Sequence, residues 1–342
     1  MNRPLVVLES FPQPRPTTNP YLIMLADSIA AQPGVELRTF SWRRALLGPY
    51  DVFHVHWPEI LVNGHSPLKK LVRQALFVAL LLRLRFTRTP LVRTLHNLEL
   101  PTGISRRETF LLRWAERWTT LWVTINESTS VPHDRPSVRV LHGHYRPWFK
   151  DIPKSSPVAQ RLGYFGLIRH YKGVEALVAA FHQLPSAEAS LRVGGRPSNP
   201  ELAETIRLAA DGDPRIRLDL TFLPDDELVA LVTESQLVVL PYLEMHNSGG
   251  ALTALSLDRP ILIPDNATNR RLADEVGPGW VFTYQPPLTT EALQQALDAV
   301  ARAADDPQRG ASPELAGREW PAAGAAHVAA FRRAIRMSRG TP

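Results

Sequence analysis

Arg169 and Lys172 fall in the turn Gly166-Leu167-Ile168-Arg169-His170-Tyr171-Lys172-Gly173, between an apolar strand pattern and a helical one. A guanidinium and an ammonium placed in such a turn can converge on one anion. Later in the chain, Asn247-Ser248-Gly249-Gly250 separates the apolar run 236–240 from an apolar helical pattern at 251–257. The first N–H groups of a helix lack intrahelical partners, and the helix dipole favours negative charge there. Cations from one loop and N–H donors from the other would offset a diphosphate on two sides. The competing account leaves Arg169 and Lys172 as solvated charges and the glycines as plain turns. Gly194-Gly195, ending the run 190–194, would allow close approach of a flat base or ribose. Neither GxGxxG nor GxxxxGK[ST] occurs, which argues against a Rossmann dinucleotide site and a P-loop.

The first half offers titratable groups instead. His54 and His56 share one strand face by the period-two rule, and Glu59 falls just past the strand end. His96 and Glu99 repeat this arrangement after the run 90–95, and His142 and His144 close the region in a loop. His96, Glu59 or Glu99 could act as general base toward a hydroxyl, with His56 and His144 beside it. A metal reading of His54, His56 and Glu59 competes with buried histidines satisfied by hydrogen bonds, and we expect no metal. The chain has no cysteine, so disulfides, thiolate metal sites and a thiol nucleophile are excluded.

These residues must be positioned by something, and the apolar pattern supplies it. Strand-length runs at 5–8, 35–40, 52–56, 90–95 and 121–125 alternate with amphipathic segments at 21–31, 68–86 and 105–118. After a polar, proline-bearing stretch the alternation restarts, with strands at 161–165, 190–194, 216–219, 237–240 and 260–263. Helical patterns at 173–183, 200–210, 225–234 and 251–257 separate them. Continuous apolar strands between helices argue for parallel sheets covered on both faces. The expectation is two doubly wound α/β domains, 1–152 and 158–318, facing a central cleft, with a C-terminal helix at 319–342 that could return to the first domain. Ligands of such sheets sit beyond the carboxyl ends of the strands, at the switch of strand order.

Hydrophobic residues make up 44% and charged residues 21%, a soluble globular balance. The opening run 5–8 is too short for a signal peptide and no window reaches the length of a membrane span, so a cytoplasmic protein is expected. The net charge of +6 concentrates in the first half. Residues 68–86 carry five basic and no acidic residue among many apolar ones, which suits either a helix lying on an anionic bilayer or a core-packing helix with a basic edge. Basic residues are not interleaved with aromatics as in a nucleic-acid-binding module, so no nucleic-acid partner is expected.

The order Gly166-x-x-Arg169-x-x-Lys172-Gly173, Gly194-Gly195, Leu223-Pro224-Asp225-Asp226-Glu227-Leu228, Val238-Val239-Leu240-Pro241-Tyr242 and the glycine turn resembles the C-terminal domain of GT-B-fold glycosyltransferases, broadly family 4. Nearly the whole chain is covered. Asn19-Pro20-Tyr21, His54-Val55-His56-Trp57-Pro58-Glu59, His96-Asn97 and His142-Gly143-His144-Tyr145 are similar to a bacterial subgroup that includes GDP-mannose:glycolipid β-1,4-mannosyltransferases of exopolysaccharide assembly. The resemblance implies sugar transfer from a nucleoside diphosphate sugar to a lipid-linked or polysaccharide acceptor, with no cofactor. It puts the donor diphosphate on Arg169, Lys172, Ser248, Gly249 and Gly250, and the donor sugar or nucleoside near Glu244, Asn247, Gly194, Gly195 and Thr253. His96 would touch donor sugar or acceptor. Family 4 enzymes usually carry a second glutamate eight residues after the first; here Leu252 stands eight after Glu244, followed by Thr253. An epimerase or phosphorylase on the same fold stays open at this stage.

Overall fold

The computed structural model describes residues 3–15, 17–97, 99–101, 103–129, 131, 135–243, 245 and 247–340. The chain divides into two compact units, one formed by residues through Gly143 together with those from Arg318 onward, the other by His144–Gly317.

The first unit is built on six parallel strands: β1 (Leu5–Glu9), β2 (Val35–Arg38), β3 (Val52–Val55), β4 (Leu91–Leu95), β5 (Leu121–Thr124) and β6 (Ser137–Arg139), in the order β2-β1-β3-β4-β5-β6. The central strands are buried along their length because helices cover them. These helices are α1 (Pro20–Ala30), α2 (Trp42–Leu47), α3 (Glu59–Val62), α4 (Pro67–Phe86) and α5 (Arg106–Trp118). Local chemistry sets their starts. Asn19 caps α1 ahead of Pro20, Ser66 caps α4 ahead of Pro67, and Ser105 and Glu108 form a reciprocal capping box on α5. Glu108 also binds Lys70 at 2.6 Å, fastening α5 to α4. Leu8, Phe53, Phe77, Leu80 and Leu112 form the core between sheet and helices. The last helix of the chain, Trp320–Arg339, packs along α1 and against β3, β4 and β5. Its Gly324 permits the approach, since a Cβ there would lie 2.2 Å from the Ser28 carbonyl oxygen.

The second unit repeats the plan with β7 (Arg161–Phe165), β8 (Ser190–Gly194), β9 (Ile216–Asp219), β10 (Leu237–Val239), β11 (Ile261–Pro264) and β12 (Val281–Tyr284), ordered β12-β11-β10-β7-β8-β9 and all parallel. Its helices are α6 (Val174–His182), α7 (Pro200–Ala210), α8 (Asp225–Glu234), α9 (Gly249–Ser256), α10 (Ala267–Val276) and α11 (Thr290–Ala304), which makes the C-terminal helix α12. The stretch expected to end the first domain and link it onward, 144–157, packs within this second unit. The Tyr145 N–H donates to Ser256 Oγ at 2.8 Å, Trp148 Nε1 to Asp225 at 2.8 Å, and the Ser155 N–H to Thr233 Oγ1 at 2.9 Å. Polar residues that look like a linker in sequence are here hydrogen-bonded to helices of the unit. Among the described residues no helix is long and apolar enough to cross a membrane.

Candidate active site

In both sheets the strand order reverses beside the first strand of the unit. The switch lies between β1 and β3 in the first unit and between β7 and β10 in the second. That is where a doubly wound sheet binds ligands, beyond the carboxyl ends of its strands.

In the second unit the switch brings together the two loops singled out by their chemistry. The loop after β7 contains Arg169 and a short 3₁₀ turn, His170–Lys172, closed by Gly173 at φ 61. The loop after β10 runs through Pro241 and Tyr242 to Ser248. The Leu243 N–H donates to the Tyr171 carbonyl at 2.9 Å, and Lys172 Nζ lies 5.0 Å from the centre of the Tyr242 ring. Gly173 is held so close to Pro241 that a Cβ would lie 2.3 Å from its carbonyl oxygen, in a left-handed conformation that L side chains rarely adopt. Burial, with a smaller contribution from Arg169, holds the Lys172 ammonium below the usual lysine range, against the opposing Tyr171. Arg169 is exposed.

Ser248 caps α9, its Oγ accepting from the Ala251 N–H at 3.1 Å. The hydroxyl is therefore part of the cap, and the first-turn amides of Gly249 and Gly250 are the donors left by helix geometry. Burial pushes Tyr242 up to about 12, opposed by its hydrogen bond with Ser248. Asn247 is half-buried at the same turn, and Thr253 is buried within α9. Glu244 lies outside the described residues. Gly194 and Gly195 serve the unit's own packing. A Cβ on Gly194 would lie 2.5 Å from Leu223, and one on Gly195 1.8 Å from the Gly166 carbonyl oxygen.

In the first unit the residues at the switch form a hydrogen-bonded chain. Glu9 ends β1 and is fully buried; its Oε1 lies 3.0 Å from His54 Nδ1 and its Oε2 3.2 Å from His56 Nε2. His54 Nε2 continues to Thr94 Oγ1 at 2.8 Å, and His56 Nδ1 to His96 Nε2 at 3.0 Å. Adjacent strands explain the meeting, since Glu9 pairs in register with His54 across β1 and β3. Tyr21, from the first turn of α1, sets its ring against His56, His96 and His142. Trp57 stacks on His96 at 4.2 Å.

The electrostatics follow from burial and these contacts. Desolvation would raise the pKa of Glu9, but His54 and the hydrogen bonds from both histidines outweigh it and hold the carboxyl at about 2. Desolvation and His54 push His56 down to about 4 against the pull of Glu9. His96 is held well below the usual histidine range, first by desolvation and then by His56, His142, His54 and Arg93. Burial raises the carboxyl of Glu59, partly countered by Arg93.

Of the candidate bases, His96 follows β4 directly and Glu59 is the first residue of α3, beyond β3. Glu99 is exposed. His56, expected on the acceptor side, is buried with both ring nitrogens engaged, and so lies behind His96. His144 falls in the second unit, where its Nδ1 accepts the Arg146 N–H at 3.3 Å, so it is not a first-unit residue. The pattern did not single out Glu9. Its one local signal was a carboxylate closing the apolar run Leu5-Val6-Val7-Leu8. The alternative metal grouping of His54, His56 and Glu59 is not the one that assembles: the carboxylate set between the two histidines is Glu9. The donor atoms of Glu9, His54 and His56 lie within 4.8 Å of one another, and the Glu9 contacts to each histidine are at hydrogen-bond distance.

A GDP-mannose:glycolipid 4-beta-D-mannosyltransferase of Xanthomonas campestris pv. campestris is 43% identical to this chain over 335 residues, covering 97% of the chain and 93% of the relative. The chain belongs to that glycosyltransferase family. Its family membership favours sugar transfer over the epimerase and phosphorylase readings left open by the sequence. Solved structures agree on the GT-B fold at low identity. Anabaena HepE in complex with UDP matches with a TM-score of 0.60 at 14% identity, covering 98% of both chains. Sucrose-phosphate synthase from Thermosynechococcus elongatus matches with a TM-score of 0.58 at 14% identity, covering 99% of this chain and 98% of that one. No family model matches the chain. This member of the mannosyltransferase family thus presents two sets of residues at two switch points, a cationic and amide-bearing set in one unit and a carboxylate–histidine set in the other.

Proposed function

We propose that this glycosyltransferase moves mannose from GDP-mannose to a lipid-linked glycan. The observation that carries the reading is the relationship over nearly the full chain to an enzyme named for that donor and a glycolipid acceptor. The second unit would hold the donor. As the glycosidic bond breaks, negative charge grows on the diphosphate, and Arg169, Lys172 and the Gly249 and Gly250 amides supply the opposite potential. The relative's name specifies a β-linkage, and forming one from an α-linked sugar nucleotide inverts the anomeric carbon. Inversion in one displacement requires a base for the acceptor hydroxyl; His96 is our first candidate and Glu59 the second. Asn247, Thr253 and Glu244 remain candidates for sugar or nucleoside contacts.

A lipid-linked acceptor brings the enzyme to a membrane surface, and α4 is the element we assign to it. Leu68, Leu71, Val72 and Phe86 are exposed on a helix whose exposed charges are basic.

The test is transfer of labelled mannose from GDP-mannose to a glycolipid extract, with UDP-glucose as the competing donor. Arg169→Ala and Lys172→Ala should each lower kcat by roughly 10²- to 10³-fold with the melting temperature unchanged. Wild-type turnover in both variants would remove the diphosphate assignment, and preference for UDP-glucose would remove the GDP-mannose one.

A further inference from the structure

Glu9, His56 and His96 stand at the carboxyl ends of three neighbouring strands, linked by contacts of 3.2 and 3.0 Å. The direction of each hydrogen bond is fixed by what each atom can do. An ionised carboxylate only accepts, so His56 Nε2 carries the proton it donates to Glu9. A neutral imidazole with its proton on Nε2 has a bare Nδ1, which accepts; His96 Nε2 is then the donor in the second bond. The same rule leaves the basic lone pair of neutral His96 on Nδ1. Burial supports the neutral forms, since it pushes His56 down to about 4 and His96 well down.

We propose that Glu9 is a positioning residue for the transfer reaction: through His56 it sets the His96 tautomer that presents a basic Nδ1, and it steadies the charge His96 acquires. This rests on the reading of His96 as base. In the step, the acceptor hydroxyl gives its proton to His96 Nδ1 as its oxygen bonds to the anomeric carbon. The bond from that carbon to the diphosphate breaks, and the nucleoside diphosphate leaves with the electron pair. The imidazolium is then two hydrogen bonds from a buried anion, and it later returns the proton to solvent. His54 occupies the other carboxylate oxygen and anchors to Thr94 on β4, which stops the carboxylate from turning away. Tyr21 and Trp57 bracket the His96 ring. A buried carboxylate that orients a catalytic imidazole in this way is worth several powers of ten in triad hydrolases.

Four measurements decide it. Glu9→Gln keeps the shape but can donate toward a histidine, scrambling the tautomer, so kcat should fall roughly 10²- to 10⁴-fold with the donor KM changed less than about threefold. His96→Ala should be inactive yet still show a thermal shift with GDP. If His96→Ala turns over normally, the base reading fails and the relay with it. If His96→Ala is inactive but Glu9→Gln keeps wild-type kcat, the relay alone fails. Selective ¹⁵N-histidine NMR of the wild-type protein checks the assignment without any variant having to fold. A proton on Nε2 of neutral His96 supports it, and a proton on Nδ1 overturns it. Stoichiometric metal in the purified protein that is lost in Glu9→Gln would assign Glu9, His54 and His56 to an ion and also overturn it.

Discussion

Glu9 shows how one buried residue can tie stability to pH. Its carboxyl is held at about 2, below the ordinary glutamate value of 4.5, so its contribution is full above about 4.5 and is lost as pH falls toward 2. His56 and His142 are pushed down to about 4 and His327 to about 3, in each case chiefly by burial. An unfolded histidine takes up its proton near 6.5. Below that value the unfolded chain binds protons that the fold refuses, and stability falls as pH drops from about 6.5 toward 4. Each such histidine contributes about 1.4 kcal/mol per pH unit in that window. We therefore expect the urea midpoint to be flat above about pH 7 and to drop clearly by pH 5, before the Glu9 contribution begins to be lost. Equal midpoints at pH 7.5 and pH 5 would show that these histidines are not held neutral in the folded protein.

At the scale of elements, α4 has the core-packing face that one reading of its sequence expected, and it leaves apolar residues exposed on another face, the face our membrane proposal would use. Gln74, Phe77, Leu80, Leu81 and Leu84 face the core. Lys70, Arg73 and Arg83 bind Glu108, the Asn63 carbonyl and the Gly48 carbonyl, so they are partly committed to the fold. Leu68 at 71% and Phe86 at 82% exposure have no such commitment, and Ile60 of α3 and Phe110 of α5 add apolar surface on neighbouring helices. Cosedimentation with anionic vesicles at low salt should retain the protein, and a combined Leu68→Ser, Leu71→Ser and Phe86→Ser variant should bind about tenfold less with an unchanged melting temperature. Failure of the wild-type protein to be retained would remove the membrane assignment. The same scale shows what was legible. The core strands and most of the helices between them stood out because an apolar run or stripe is visible locally. β6 and β12 did not, since Ser137–Arg139 and Val281–Tyr284 are short edge strands that are only partly buried. α10 is a polar helix whose buried residues are Asn269 and Val276, so it offered no apolar stripe. Arg169, Lys172 and the 248–250 turn were legible because chemistry and loop coincide in sequence. Glu9 was not, because the histidines it binds are 45 and 47 residues away and only the β1–β3 pairing unites them.

At the scale of the whole chain, the two units differ in continuity, and that difference predicts how each responds to truncation. The second unit is a single stretch, His144–Gly317, with its own six-stranded sheet and helices. The first is interrupted, and its completion waits for residues from Arg318 onward. α12 supplies Trp320, Ala323, His327, Val328, Phe331 and Ala334 as a buried face. Phe331 is fully buried with its ring 5.1 Å from that of His54, so the helix covers the strand that carries the histidine chain. Removing one buried phenylalanine side chain costs about 3–5 kcal/mol, a large part of the 5–15 kcal/mol that holds a typical domain together. A chain ending at Gly317 should therefore lose the first unit, seen as one missing transition in calorimetry, while the second unit keeps its cooperative melting. Phe331→Ala in the full chain should lower the stability of the first unit by that same amount and leave the second unit's transition in place. If the truncated chain instead showed a first-unit transition at the full-length temperature, the six strands and five preceding helices would be sufficient, and α12 would be a cover added to a unit already complete.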